Sequence, residues 1–140
     1  MAGIRVDVDD LARTIGRVAR RMRAAVAQHE LSLTESAVLA RLDKEGPATT
    51  AELARKEGMR PQSMSAAVAA LEERGLLERQ PDPSDGRQLN IVLTDKGCGV
   101  RRSTKDLKRA WLAQATARLQ EEEREILARA GDILKRLLGP

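Results

Sequence analysis

Between Pro61 and Leu71 the sequence carries no charged residue, although Asp, Glu, Lys and Arg make up 33% of the chain. The side chains in this stretch fall into two sets at helical spacing. Met64, Ala67, Val68 and Leu71 recur at three- and four-residue steps and define an inward face. Gln62, Ser65, Ala66 and Ala69 then turn outward, with Ser63 at the flank. That outward face is polar first and small afterwards. Gln62 offers the acceptor and donor pair that an adenine edge complements, Ser63 and Ser65 donate or accept, and Ala66 presents a methyl to a thymine methyl. An ordinary solvated helix face carries long charged side chains instead, so this one is expected to enter a groove, with Arg60 and Pro61 opening it at the end nearest the bases.

Basic and hydroxyl groups stand around this stretch. Arg55, Lys56 and Arg60, with the hydroxyls of Thr34 and Thr50, suit phosphate contacts, which set register without reading sequence. Arg87 follows a turn-rich segment, where a guanidinium can reach a narrow, electronegative minor groove. Chemistry of other kinds has little to work with. The chain has one His, one Cys and one Trp, with no Phe or Tyr. No metal-spaced Cys pair, glycine-rich phosphate loop or nucleophile elbow is present, so no catalytic residue, metal or cofactor is expected. Without aromatic platforms, single-stranded nucleic acid is a poor partner.

The elements that must position these residues follow from periodicity and punctuation. Leu11, Ile15, Val18, Met22 and Val26 give a first helix over about 8–28 one apolar stripe, with Arg13, Arg17, Arg20 and Arg21 mostly opposite. Thr34, or Ser32 in a box with Glu35, caps a second helix containing Val38, Leu39 and Leu42, which Gly46-Pro47 stops. Thr49-Thr50 caps a short helix, Ala51 to Glu57, with Leu53 and Ala54 inward. Gly58 and Met59 make the turn, and Pro61 starts a longer helix to about Arg74. A short helix, a glycine turn and a longer helix is the helix-turn-helix arrangement. After Gly75, an extended Leu76–Arg79, the turn formers Pro81 to Gly86 and an alternating Arg87–Thr94 form a β-hairpin. Thr94 caps a long helix to about Leu119, with Val100, Leu107, Trp111, Ala115 and Leu119 on its apolar line. Glu121, Glu122 and Glu123 open a last helix, where negative charge complements the macrodipole. Ile126, Leu127, Ala130, Ile133, Leu134, Leu137 and Leu138 give it a broad apolar face before Gly139-Pro140.

Length and composition bound the remaining classes. At 140 residues with 41% hydrophobic residues the chain is one globular domain's worth. A lone Cys98 excludes an intrachain disulfide. No apolar run approaches a membrane span, and Asp7, Asp9, Asp10 and Arg13 interrupt any signal-peptide core, which leaves a cytoplasmic protein as the expectation. The net charge of +4 is unevenly placed: residues 95–140 hold 11 basic and 7 acidic groups, whereas residues 46–94 hold 6 and 7. The segment expected to touch an anion is slightly acidic, so its binding must depend on local placement.

The order of elements, together with Leu33-Thr34, Leu53-Ala54, Leu71-Glu72-Glu73-Arg74-Gly75-Leu76, Asp82-Pro83-Ser84-Asp85-Gly86-Arg87 and Leu93-Thr94-Asp95-Lys96-Gly97, resembles the MarR family of winged-helix transcriptional regulators over essentially the whole chain. Arg60-Pro61 and Gly86 depart from the family pattern. The resemblance implies a mostly α fold, a winged helix-turn-helix over 33–94 flanked by dimerisation helices over 1–32 and 95–140. It implies a sequence-specific, double-stranded-DNA-binding regulator, a repressor on a pseudo-palindromic operator, with Arg87 as the wing arginine and Asp85 as the aspartate that positions an arginine.

The apolar faces of the first and last helices give a physical reason to form a homodimer, since one domain of this size would leave them in water. The resemblance also implies release of DNA by a small anionic or phenolic effector. Arg17, Arg21, His29 and Trp111 are the residues expected to line its pocket. Two other readings stand beside this one. The winged domain binds protein rather than DNA, as a helical interaction module, or Cys98, at a helix start near Lys96, Arg101 and Arg102, acts as a thiol-based redox sensor.

Overall fold

The computed structural model describes Gly3 and residues 5–139, so Pro140 lies outside the described residues. Six helices and one antiparallel hairpin are present among them, in the order α1 (Val8–Ala25), α2 (Leu33–Glu45), α3 (Thr50–Lys56), α4 (Pro61–Glu73), β1 (Leu77–Pro81), β2 (Leu89–Leu93), α5 (Asp95–Ala117) and α6 (Glu121–Leu137). The first helix stops three residues short of Gln28. It tightens into a 3₁₀ turn, Ala27–His29, and Glu30 leaves that turn at a φ of 51°.

At two helix starts the structure selects one of two candidate caps. Ser32, not Thr34, caps α2: its hydroxyl accepts from the Glu35 N–H at 3.0 Å, and the Glu35 carboxylate accepts from the Ser32 N–H at 2.9 Å. Thr34 is already helical. Thr49, not Thr50, caps α3 through the same reciprocal box with Glu52, and Thr50 is the first helical residue. In both cases the glutamate three residues on selects which hydroxyl becomes the cap.

A single core joins α2, α3, α4 and the hairpin. Val38, Leu39, Leu53, Met64, Val68, Leu71 and Ile91 are fully buried there, with Leu31, Leu42, Ala48, Ala54, Leu76 and Leu77. The hairpin pairs Leu77 with Leu93, Arg79 with Ile91 and Pro81 with Leu89. Ala48 adds a short third edge: the Ile91 N–H donates to the Ala48 carbonyl at 2.7 Å, and the Ala48 N–H to the Ile91 carbonyl at 3.3 Å. Where α5 leaves the hairpin, Gly97 lies against the backbone of Leu76. A Cβ at position 97 would sit 2.0 Å from the Leu76 carbonyl oxygen, so only glycine fits.

The helical arms are built differently. α5 crosses α1 and α2, and of its expected apolar line Ala115 is exposed and Val100, Leu107, Trp111 and Leu119 are half-buried. Its fully buried side chain is Thr104, whose hydroxyl donates to the Arg101 carbonyl at 2.9 Å. No described residue of α1 or α6 is buried. Leu11, Ile15 and Val18 on α1 remain exposed, as do Ile126, Leu127, Ile133 and Leu137 on α6. The α1 stripe packs within the chain only towards its end, at half-buried Met22 and at Val26 just beyond the helix, and the other large side chains of both stripes are left uncovered.

Candidate nucleic-acid interface

The α4 helix presents the predicted face to solvent. Met64, Val68 and Leu71 are buried, Ala67 is half-buried, and Gln62, Ser63, Ser65, Ala66 and Ala69 are all exposed. The helix begins at Pro61 after an extended Arg60 that forms no side-chain cap, so the Gln62 and Ser63 N–H groups have no side-chain acceptor from that residue. Gly58, at a φ of 64°, makes the turn that separates α3 from α4.

The surrounding cations divide into free and engaged. Arg55, Arg60 and Arg87 are exposed and pair with no carboxylate among the described residues. Lys56 is engaged: its ammonium meets Glu45 at 3.2 Å. Arg41 completes that cluster, with Glu57 at 2.8 Å and Glu45 at 3.0 Å, and ties α2 to α3. Hydrogen bonds from Lys56 and then Arg41 hold the Glu45 carboxyl below the usual range, and the bond to Glu57 raises the Arg41 guanidinium further. Thr34 and Thr50 are half-buried rather than open.

The hairpin tip is organised by Asp82, which the sequence marks as a turn former and as the start of the Asp82–Arg87 motif. Asp82 Oδ1 accepts from the Ser84 hydroxyl at 2.7 Å, the Ser84 N–H at 2.8 Å and the Asp85 N–H at 3.2 Å, while Oδ2 accepts from Asn90 Nδ2 at 3.2 Å. These donors, the Ser84 hydroxyl foremost, hold the Asp82 carboxyl below the ordinary carboxylate range. Asp85 Oδ1 in turn accepts from the Arg87 N–H at 3.1 Å, so the aspartate fixes the backbone of Arg87 and leaves its guanidinium exposed. The Asp-x-Ser-Asp spacing was the available signal, since Asp carboxylates commonly bond backbone two residues on. Arg79 of β1 meets Glu72 of α4 at 2.7 Å, joining hairpin to helix, and no local pattern announces that pair.

The residues expected to hold an effector separate into two places. Arg17, Arg21 and Trp111 line one groove between α1 and α5, about 220 Å³ in volume, with Thr14 and Val18. An adjoining depression is lined by Arg21, Trp111 and Arg118 with Gln114 and Ala115. His29 stands elsewhere, its Nε2 hydrogen-bonded to Ser103 Oγ at 2.8 Å. A smaller cavity between α1, α2 and α5 is lined by Met22, Val26, Ser36 and Lys108 among others. Burial there, and then the charge of Arg101, lower the Lys108 ammonium. Cys98 is half-buried. Among the described residues no group of three His, Cys, Asp or Glu is placed to hold a metal, and no helix is long and apolar enough to cross a membrane.

Known proteins share this arrangement. The sequence model of the MarR family matches residues 31–89, the segment that contains α2 to the start of β2. An HTH-type transcriptional regulator of Mycobacterium bovis is 33% identical over 129 residues, covering 92% of this chain and 90% of that protein. An HTH-type transcriptional repressor of Mycobacterium tuberculosis is 32% identical over 122 residues, covering 84% and 88%. Among solved structures, CouR from Rhodococcus jostii RHA1, crystallised bound to p-coumaroyl-CoA, superimposes with a TM-score of 0.80 at 25% identity over 96% of this chain and 93% of its own.

Proposed function

The chain belongs to the MarR family of DNA-binding transcriptional regulators, and from that premise we propose that it reads a pseudo-palindromic operator as a homodimer and represses from it. The observation that carries this reading is the uncharged, exposed face of α4. Gln62, Ser63, Ser65 and Ala66 contact base edges in the major groove, and Arg87 enters the adjoining minor groove from the hairpin, which acts as the wing. Arg55 and Arg60 meet phosphates, with Thr34 and Thr50 as weaker backbone contacts and Pro61 setting the approach of the first turn. Residues 33–94 form the reading unit. Residues 1–32 and 95–140 form the pairing unit, in which the exposed stripes of α1 and α6 cover one another across a two-fold axis. Such an axis sets the two α4 helices about 34 Å apart, one turn of DNA. Repression is supported by the M. tuberculosis relative named as a repressor.

The proposed effector is an anion with a planar ring, received between Arg17, Arg21 and Trp111 and shifting the spacing of the two α4 helices through its different affinity for the two states. CouR, bound to an aromatic thioester of that general chemistry, supports the class of ligand and not its identity. His29 has no part in this groove.

Selection of binding duplexes from a random pool, followed by fluorescence anisotropy on the selected and a scrambled duplex, tests the reading. Tight binding to a palindrome and weak binding to the scramble are expected. With Lys56 engaged, three free arginines per subunit give a slope of log K on log salt of about −5 per dimer. Equal affinity for both duplexes refutes sequence-specific regulation, and a slope beyond about −10 requires arginines of α1 or α5 on the backbone as well.

A further inference from the structure

The α4 helix is fastened unequally at its two ends. At the start, Arg60 gives no side-chain cap and Pro61 has no N–H. At the far end, Gly75 at a φ of 76° closes a Schellman turn: its N–H donates to the Glu72 carbonyl at 2.9 Å, and the Leu76 N–H donates to the Leu71 carbonyl at 3.0 Å. The cap residue of that turn is Arg74, and its guanidinium does not point into solvent. It forks across two consecutive carbonyls, Nη2 donating to His29 O at 2.7 Å and Nη1 to Glu30 O at 3.3 Å. Both carbonyls belong to the turn between α1 and α2. Glu30 is the one non-glycine residue there with a positive φ among the described residues, a shape that needs tertiary support. The Arg74 carbonyl in turn accepts from Lys96 Nζ, on the first turn of α5, at 2.9 Å. His29 is itself bound through its ring to Ser103 of α5.

One residue thus connects the end of the DNA-facing helix to the turn between α1 and α2 and to α5. We propose that Arg74 is a positioning residue for DNA reading, setting the angle of α4 relative to the helical arms. The inference rests on the reading of α4 as the helix that enters the groove. Arg74 follows the last of the 13 residues of α4, roughly 20 Å from the Gln62 end, and two of its guanidinium nitrogens are committed to protein carbonyls, so it acts through the helix and not by touching a base. Without the fork, α4 samples orientations of which only some fit two grooves at once. Apparent affinity then falls in proportion to the competent fraction, and a fraction of about one tenth lowers operator affinity about tenfold. No phosphate contact is lost, so the salt slope stays where it was.

The test uses the full chain, with Arg74→Gln and Arg74→Lys beside the unaltered protein. Anisotropy is measured on the selected palindrome and its scramble across a salt series, and amide hydrogen exchange is measured without DNA. Arg74→Gln is expected to lose about tenfold on the palindrome and nothing on the scramble, at an unchanged slope, while exchange rises together in residues 31–36 and 72–77. Arg74→Lys, which keeps the charge and a donor, recovers part of both effects. Undiminished affinity for the palindrome overturns the proposal, as does a slope smaller by about two per dimer on both duplexes, which marks a phosphate contact from each subunit. If Arg74→Gln does not fold, Arg74→Lys carries the same criteria. If the unaltered protein fails to discriminate the duplexes, the reading of α4 is what fails. Hydrogen exchange, which needs no DNA, then still decides whether Arg74 couples the two segments: exchange unchanged in both overturns it.

Discussion

The winged half and the helical arms of this chain are written in the same amphipathic code and use it in opposite ways. In α2, α3, α4 and the hairpin the apolar positions close over one another until Val38, Leu39, Leu53, Met64 and Ile91 are at 0% exposure. In α1 and α6 the same kind of stripe stays in water, with Ile126 at 58% and Leu137 at 71% exposed. Periodicity identifies which face of a helix is apolar; it does not say whether the surface that covers it comes from the same chain.

The sharpest test of that contrast is inside the wing core. Leu39→Ala removes a fully buried side chain and is expected to cost about 2–5 kcal/mol of unfolding free energy, read from urea denaturation. Gly97→Ala comes next. Its methyl meets backbone rather than a pliable side chain, so α5 must shift, at about 1–3 kcal/mol, with a lower thermal midpoint as the readout. Ile15→Asp combined with Ile133→Asp addresses the arms. At protein concentrations where the pair has already dissociated, stability should move by no more than about 0.5 kcal/mol. Light scattering should meanwhile change from a species of about 31 kDa to one near the 15.3 kDa of a single chain. A large loss of monomer stability instead would place those stripes in the core and dissolve the contrast.

The smallest effect is at the wing tip. The Asp82 carboxyl titrates below its ordinary range, so its ordering of Ser84 and Asp85 is complete above about pH 4 and is lost as pH falls through the lowered value. Intrinsic-rate-corrected exchange of those amides should rise in acid for the natural chain. In Asp82→Asn it should be insensitive to pH, with global stability almost unchanged.

How much of this was legible in the sequence depended on the distance over which each feature is built. The outward face of α4 was readable because its buried partners lie three and four residues away, and the hairpin because its turn formers are contiguous. The caps were legible down to a pair of hydroxyls each, Thr49 beside Thr50 and Ser32 before Thr34, and the reciprocal glutamate decides between them. The residues expected to receive an effector are only partly neighbours in space. Arg17 and Arg21 of α1 line one groove with Trp111 of α5, whereas His29 is carried past the end of α1 by a tightened turn to meet Ser103, 74 residues away. Arg74 could not be read at all, since its carbonyl partner His29 is 45 residues upstream and carries no side-chain signature of the bond.

The contact at Gly97 has a mechanical meaning. Backbone rests on backbone there, with no side chain between to flex, so the start of α5 is a fulcrum rather than a cushion. From it the 23 residues of α5 extend roughly 34 Å at about 1.5 Å each. Each degree of rotation at that fulcrum carries the far end of the helix by about 0.6 Å over such a length. Over the same length, a displacement of an ångström at the far end corresponds to a rotation of about two degrees at the start of α5.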